Sequence, residues 1–148
     1  MSYVLDTNVL LRFVQLGHPM QEDSEKAIET LRQNGEALYL LPQNLIEFWA
    51  VATRPHAYNG LNLTFDEAAQ QLTNLKSLFL LHLDKPSIYA EWESLITQYQ
   101  VKGRQVHDAR IVAAMNVHTI ANLLTFNTDD FKRYTEINAV DPREITKP

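Results

Sequence analysis

The 148-residue chain contains no cysteine, which removes disulfide frameworks, thiolate zinc sites, iron–sulfur clusters and thiol nucleophiles together. Glycine is nearly as scarce. Gly17, Gly35, Gly60 and Gly103 stand far apart, so neither a Gly-x-Gly-x-x-Gly turn nor a phosphate loop can be assembled. No apolar run approaches the roughly 20 residues of a membrane helix, and Met1-Ser2-Tyr3 lacks the basic flank and apolar stretch of a secretory signal. A cytoplasmic protein with no membrane partner is the expectation. Positive charge is in deficit too: 13 Lys and Arg against 18 Asp and Glu leave a net −5, which opposes broad, unspecific binding to a polyanion. The five histidines make no helical ligand pair and read as surface or capping residues.

What is present suits one α/β domain spanning residues 1–148, with a core over about 3–140 and a short polar tail. Ser2-Tyr3-Val4-Leu5 predicts a strand that stops at Asp6-Thr7-Asn8, residues that favour helix starts. Helices are predicted over Glu22 to Asn34, Gln43 to Thr53, Thr64 to Ser77, Pro86 to Gln100 and Val106 to Val117, from apolar stripes and from the Thr64/Glu67 capping box. Strands are predicted at Ala37 to Leu41, Leu78 to Leu83, Thr119 to Thr125 and Ile137 to Val140. Strands alternating with helices of this length imply a parallel sheet with helices on both faces. Trp49 and Trp92 lie on helical stripes and read as core residues, not base-stacking platforms.

In an open parallel sheet, ligands bind beyond the carboxyl ends of the strands. Asp6 ends the first strand, Glu47 lies in the second turn of the helix after the next, and Asn127, Asp129 and Asp130 follow the fourth. Asp108 opens the helix before that strand, as an N-cap or first-turn carboxylate. Each has a plain alternative: Asp6 and Asp108 suit helix starts, and Asp129-Asp130 suits a turn. Glu47 is harder to dismiss, because Leu45-Ile46-Glu47-Phe48-Trp49 leaves a charge little solvated surface. Carboxylates converging on one sheet end repel one another unless a cation neutralises them, and Mg²⁺ or Mn²⁺ is the hard ion that takes such oxygens. Arg12, Arg54, Lys102, Arg104, Arg110, Lys132 and Arg133 lie in or near the same segments, so a local grip on a polyanion survives the net charge. Arg12, Arg54 and Arg104 are the contacts expected to make it.

Leu5-Asp6-Thr7-Asn8-Val9-Leu10, Glu47 in its apolar helix, Asp108 in His107-Asp108-Ala109-Arg110, and Thr125-Phe126-Asn127 with Phe131 beyond it together resemble the PIN domain, and within it the VapC type of toxin ribonuclease. The resemblance runs from Tyr3 to about Val140. It implies a Rossmann-like fold, Mg²⁺- or Mn²⁺-dependent cleavage of RNA, a small antitoxin partner and a homodimer. It also implies that Asp6, Glu47 and Asp108 are the catalytic and metal-holding acids, with Thr7 and Asn8 orienting Asp6 and the phosphate. The family's fourth acid falls on Asn127, an amide that can ligate but cannot act as a base, which leaves Asp130 as the other candidate to complete the site. Two rival readings stand beside this one. Asp84-Lys85-Pro86 after a middle strand could mark a phosphoacceptor receiver domain, and Asn127 could mark a PIN scaffold that kept binding and lost chemistry.

Overall fold

Successive side chains along a strand point to opposite faces of its sheet, and the strands here use both faces for burial. In the computed structural model, which describes residues 1–147, β1 (Ser2–Leu5), β2 (Ala37–Leu40), β3 (Leu80–Leu81), β4 (Asn122–Leu124) and β5 (Asn138–Val140) form one parallel sheet in the order β3–β2–β1–β4–β5. Tyr3, Leu5, Leu38, Leu40 and Leu124 enter one apolar layer with residues of α1 (Thr7–Val14), α2 (Pro19–Gln33), α3 (Pro42–Thr53) and α4 (Phe65–Leu78). Val4 and Leu123 point the other way, into a layer built with α5 (Ser87–Tyr99) and α6 (Gln105–His118). The α/β class and the helices on both faces are as the sequence predicts.

Central β1 pairs with β2 on one side and β4 on the other, Tyr3 lying opposite Leu38 and Asn122. The chain therefore leaves β1 toward one edge, through β2 and β3, then returns to build β4 and β5 on the opposite side. That reversal opens a crevice at the carboxyl ends of β1 and β4, the switch point where open α/β sheets bind ligands. No helix among the described residues is long and apolar enough to cross a membrane.

Three sequence expectations need correction. The strand predicted over Leu78 to Leu83 shrinks to Leu80–Leu81, because α4 runs on to Leu78 and Phe79 closes it by donating to the Leu75 carbonyl; a short strand at a sheet edge leaves few unpaired groups. Residues 142–145, expected as polar tail, form α7 (Pro142–Ile145), with Asp141 capping the Arg143 amide and Ile145 packed on the first layer. The strand expected from Thr119 begins only at Asn122, since Thr119 and Ile120 close α6 by donating to the Asn116 and Met115 carbonyls.

That closure places Thr119 at φ 59, ψ 45, a left-handed conformation that crowds a β-branched side chain. Thr119 is exposed and nothing but the backbone uses it. Thr119→Gly is expected to raise stability by about 0.5–1 kcal/mol, the relief of left-handed strain less the extra freedom of glycine in the unfolded chain. A urea midpoint that fails to rise refutes it.

Candidate active site

Asp6 leaves β1 in an extended conformation and caps α1, its Oδ1 accepting the Thr7 amide at 2.8 Å. The cap reading and a functional reading of this residue are compatible, because the second oxygen is used differently. Oδ2 accepts the Thr125 hydroxyl at 2.8 Å and the Asn8 Nδ2 at 3.2 Å. Thr125 follows β4, so these bonds close the crevice between the two strands. Asn8 tightens the same seam: Nδ2 also donates to Thr125 Oγ1 at 3.1 Å, and its Oδ1 accepts the Phe126 amide at 3.0 Å. With the Asn127 amide on it at 3.0 Å, Thr125 Oγ1 has its donor and both acceptor sites filled.

Glu47 reaches the crevice from α3. Its Oε1 accepts the Thr7 hydroxyl at 3.1 Å, and Oε2 faces Gln43 Nε2 at 3.5 Å. Thr7 thus serves Asp6 with its amide and Glu47 with its hydroxyl. Asp108 stands in the first turn of α6, one turn inside its Arg104 N-cap, so the first-turn alternative is the one realised.

Burial pushes the Asp6 carboxyl up to about 6 against the pull of its three donors, with the Glu47 charge adding to the rise. Asp108 is pushed up further, to about 7, first by burial and then by the negative charges of Asp6, Asp130 and Glu47; Arg133 pulls it down. The acids from β1, α3, α6 and the turn after β4 therefore share one electrostatic field. Among the described residues, however, no three His, Asp or Glu side chains are gathered closely enough to chelate an ion unaided. The donor set is all oxygen and its members repel one another. Both properties fit a hard divalent ion held by one or two carboxylates and keeping waters as its remaining ligands.

The other sequence candidates are placed less centrally. Asn127 is exposed and precedes the 3-10 turn Thr128–Phe131, in which Asp130 sits, also exposed; Asp129 is paired with Lys132 at 2.6 Å. Arg104 is exposed at the start of α6, one turn before Asp108. Arg12 binds Gln15 near the far end of α1, and Arg54 lies past the far end of α3, so neither is brought to the acids. Asp84 follows the edge strand β3 and is paired with Arg110 at 3.0 Å, away from the end of β1 where a receiver domain gathers its acids.

Of three further contributors, Gln43 was not singled out from the sequence, Thr125 stood there only as part of the Thr125-Phe126-Asn127 run, and Arg133 only among the basic residues near the site segments. Thr125 is fully buried and is the hinge of the Asp6 network; its place directly after a strand was the available signal. Gln43 sits four residues before Glu47, the spacing that puts two side chains on one helix face. Arg133, just beyond the turn, donates to Gln105 Oε1 at 2.7 Å and acts on Asp108 through its charge alone, a pairing that nothing local in the sequence announces. Thr125→Val is expected to cost about 1–3 kcal/mol, since Asn8 and the Asn127 amide lose a buried acceptor, and to slow any chemistry that depends on Asp6 by roughly 10- to 100-fold. Thr125→Ser restores both, as read by urea denaturation and by activity.

The PIN domain family model matches residues 3–137. Among curated proteins compared by sequence, none matches. The fold is similar to that of VapBC2 from Rickettsia felis, solved bound to a DNA fragment from their promoter, with a TM-score of 0.75, 16% identity, and 95% of this chain and 98% of that one covered. It is similar also to Mycobacterium tuberculosis VapC20, a Sarcin-Ricin loop cleaving toxin, at a TM-score of 0.64 and 15% identity, covering 91% and 98%. A toxin–antitoxin complex from Klebsiella pneumoniae matches at 0.61 and 21% identity, covering 95% and 97%. With the family model spanning four of the five strands and helices of both layers, the chain belongs to the PIN domain family.

Proposed function

We propose that this protein is a divalent-metal-dependent endoribonuclease of the VapC type, working in the cytoplasm as the toxin of a pair with a small antitoxin. The observation that carries the reading is the convergence of Asp6, Glu47 and Asp108 from three separate elements on the crevice between β1 and β4, with Asp6 and Asp108 both held well above the usual carboxylate range. Similarity to toxin–antitoxin complexes supports the partner. A homodimer fits a face around Ile46, Trp49, Leu81 and Leu83, where a mostly apolar hollow between α3, α4 and β3 stands open.

Asp6 and Asp108 are the carboxylates that would hold Mg²⁺ or Mn²⁺, and the ion supplies a positive centre that acidifies water and neutralises phosphate charge. Glu47, oriented by the Thr7 hydroxyl, is placed to accept the proton of the attacking water. Asn127 can hydrogen-bond the substrate but cannot take that proton, so Asp130 is the remaining acid that completes the pocket.

The test is incubation of the purified protein with structured RNA in Mn²⁺ and in excess chelator. Cleavage with Mn²⁺ that stops on chelation is expected. Undiminished cleavage in chelator rejects the metal mechanism, and RNA binding without cleavage in Mn²⁺ favours a scaffold that has lost its chemistry.

A further inference from the structure

The cleft where the N-terminal ends of α5 and α6 meet lies outside the acidic crevice and encloses about 520 Å³. Its floor is aromatic. Tyr89 and Trp92 lie with ring centroids 5.6 Å apart and planes tilted by 38°, and each ring is fixed by its polar end: Trp92 Nε1 donates to the Val106 carbonyl at 2.8 Å, and the Tyr89 hydroxyl to Glu93 at 3.2 Å. Trp92 is only half-buried, so the core reading of its sequence position holds for one side of the indole and not for the other. The walls carry Lys85, His107 and Arg110, and the one acid among the lining residues, Asp84, is neutralised by Arg110.

Two links join this cleft to the acids. His107 and Arg110 share a helix turn with Asp108, which points to the crevice side. Gln43 spans the gap: Nε2 donates to the His107 carbonyl at 2.8 Å and faces Glu47 Oε2 at 3.5 Å, and Oε1 accepts Arg110 Nη1 at 3.1 Å. One side chain therefore touches both the cleft wall and a proposed catalytic carboxylate.

We propose that this cleft is a base-binding subsite that takes one unpaired nucleobase of an RNA substrate beside the phosphate facing the acids. This rests on the nuclease reading above. Proteins recognise single-stranded RNA by splaying bases onto aromatic faces while cations hold the flanking phosphates, and the Tyr89–Trp92 floor with Lys85 at its wall offers both. Tyr89 is the specificity-determining contact, because it is 65% exposed and free to stack.

Trp49→Phe leaves Trp92 as the sole tryptophan of the chain, so its fluorescence reports on the cleft alone. In chelator, nucleoside monophosphates are expected to quench it saturably and to differ among bases, ribose 5-phosphate to leave it unchanged, and the added change Tyr89→Ala to weaken quenching at least about fivefold. With Mn²⁺ and RNA, Tyr89→Ala is expected to lower kcat/KM by on the order of tenfold and to erase a base preference at one position flanking the cut. Equal quenching by ribose 5-phosphate overturns the proposal, as does silence toward every nucleotide or cleavage by Tyr89→Ala with unchanged rate and preference. Dissociation of a dimer by Tyr89→Ala, with no nucleotide binding, assigns the cleft to a protein interface instead. Base-dependent quenching in a protein that cleaves no RNA would reject the nuclease reading and keep the subsite; cleavage without any nucleotide effect would do the reverse.

Discussion

Asp108→Asn is expected to lower RNA cleavage by on the order of 10³-fold, the several kcal/mol of transition-state charge stabilisation that a carboxylate-held ion supplies, and at the same time to make the metal-free protein more stable at about pH 8. The two effects have one cause. Asp108 is half-buried and faces the charges of Asp6, Asp130 and Glu47, so its ionised form is disfavoured in the folded chain. An amide of the same shape removes that repulsion and relieves Asp6 as well, and the gain is expected to be of order 1–3 kcal/mol after allowance for partial solvation of the site. A purely structural Asp108, holding the first turn of α6 through the helix dipole, predicts the opposite sign, a loss of some tenths to 1 kcal/mol. Thermal unfolding in chelator separates the two, and a fall in stability, or cleavage at the parental rate, rejects the functional assignment. Asp6→Asn is a less clean test, because Oδ1 and Oδ2 together accept three hydrogen bonds at the cap and seam, and an amide group can keep only part of them.

The contrast between these two acids shows what the sequence could and could not reveal. The class, the order of elements and the ends of β1 and α3 were legible, because Leu5-Asp6-Thr7 and Leu41-Pro42-Gln43 combine a strand run with helix-start chemistry in adjacent residues. The edge of the sheet was not. Leu78 to Leu83 is apolar whether it ends a helix or forms a strand, and the choice was made by Leu75 burying against the first layer. The acids could be placed at one end of the sheet by counting elements, but the partners that tune them are long-range. Thr125 lies 119 residues from Asp6, and Gln43 lies 64 from the His107 carbonyl it holds; no local pattern encodes such pairings. The acidic surplus of the chain is also clearer in three dimensions. Glu22, Glu25 and Glu29 project from the exposed side of α2, while Asp6, Glu47 and Asp108, the acids proposed for the site, are buried or half-buried and repel one another.

That repulsion sets the pH dependence of the metal-free protein. Asp6 and Asp108 titrate near 6 and 7 when folded, against 3.8 when exposed. Below the lower value both states carry the protons and nothing is lost. As pH rises from 3.8 toward 7, the unfolded chain releases protons that the folded chain retains, so unfolding becomes easier and stability falls. Above that window the loss levels off. His18 and His118 act in the opposite sense, because burial holds both below their usual value and the unfolded chain binds their protons first as pH drops. Their contribution cancels when the urea midpoints of the parent are subtracted from those of Asp108→Asn at each pH. The difference is expected to be near zero at about pH 3 and to grow to a plateau by about pH 8. Millimolar Mn²⁺ should then close most of that difference at the upper pH and little of it at the lower, since the ion binds only ionised carboxylates and stabilises the state that binds it. A difference that stays flat across the window, or Mn²⁺ that stabilises both proteins equally, would mean that Asp108 neither carries the repulsion nor holds the ion.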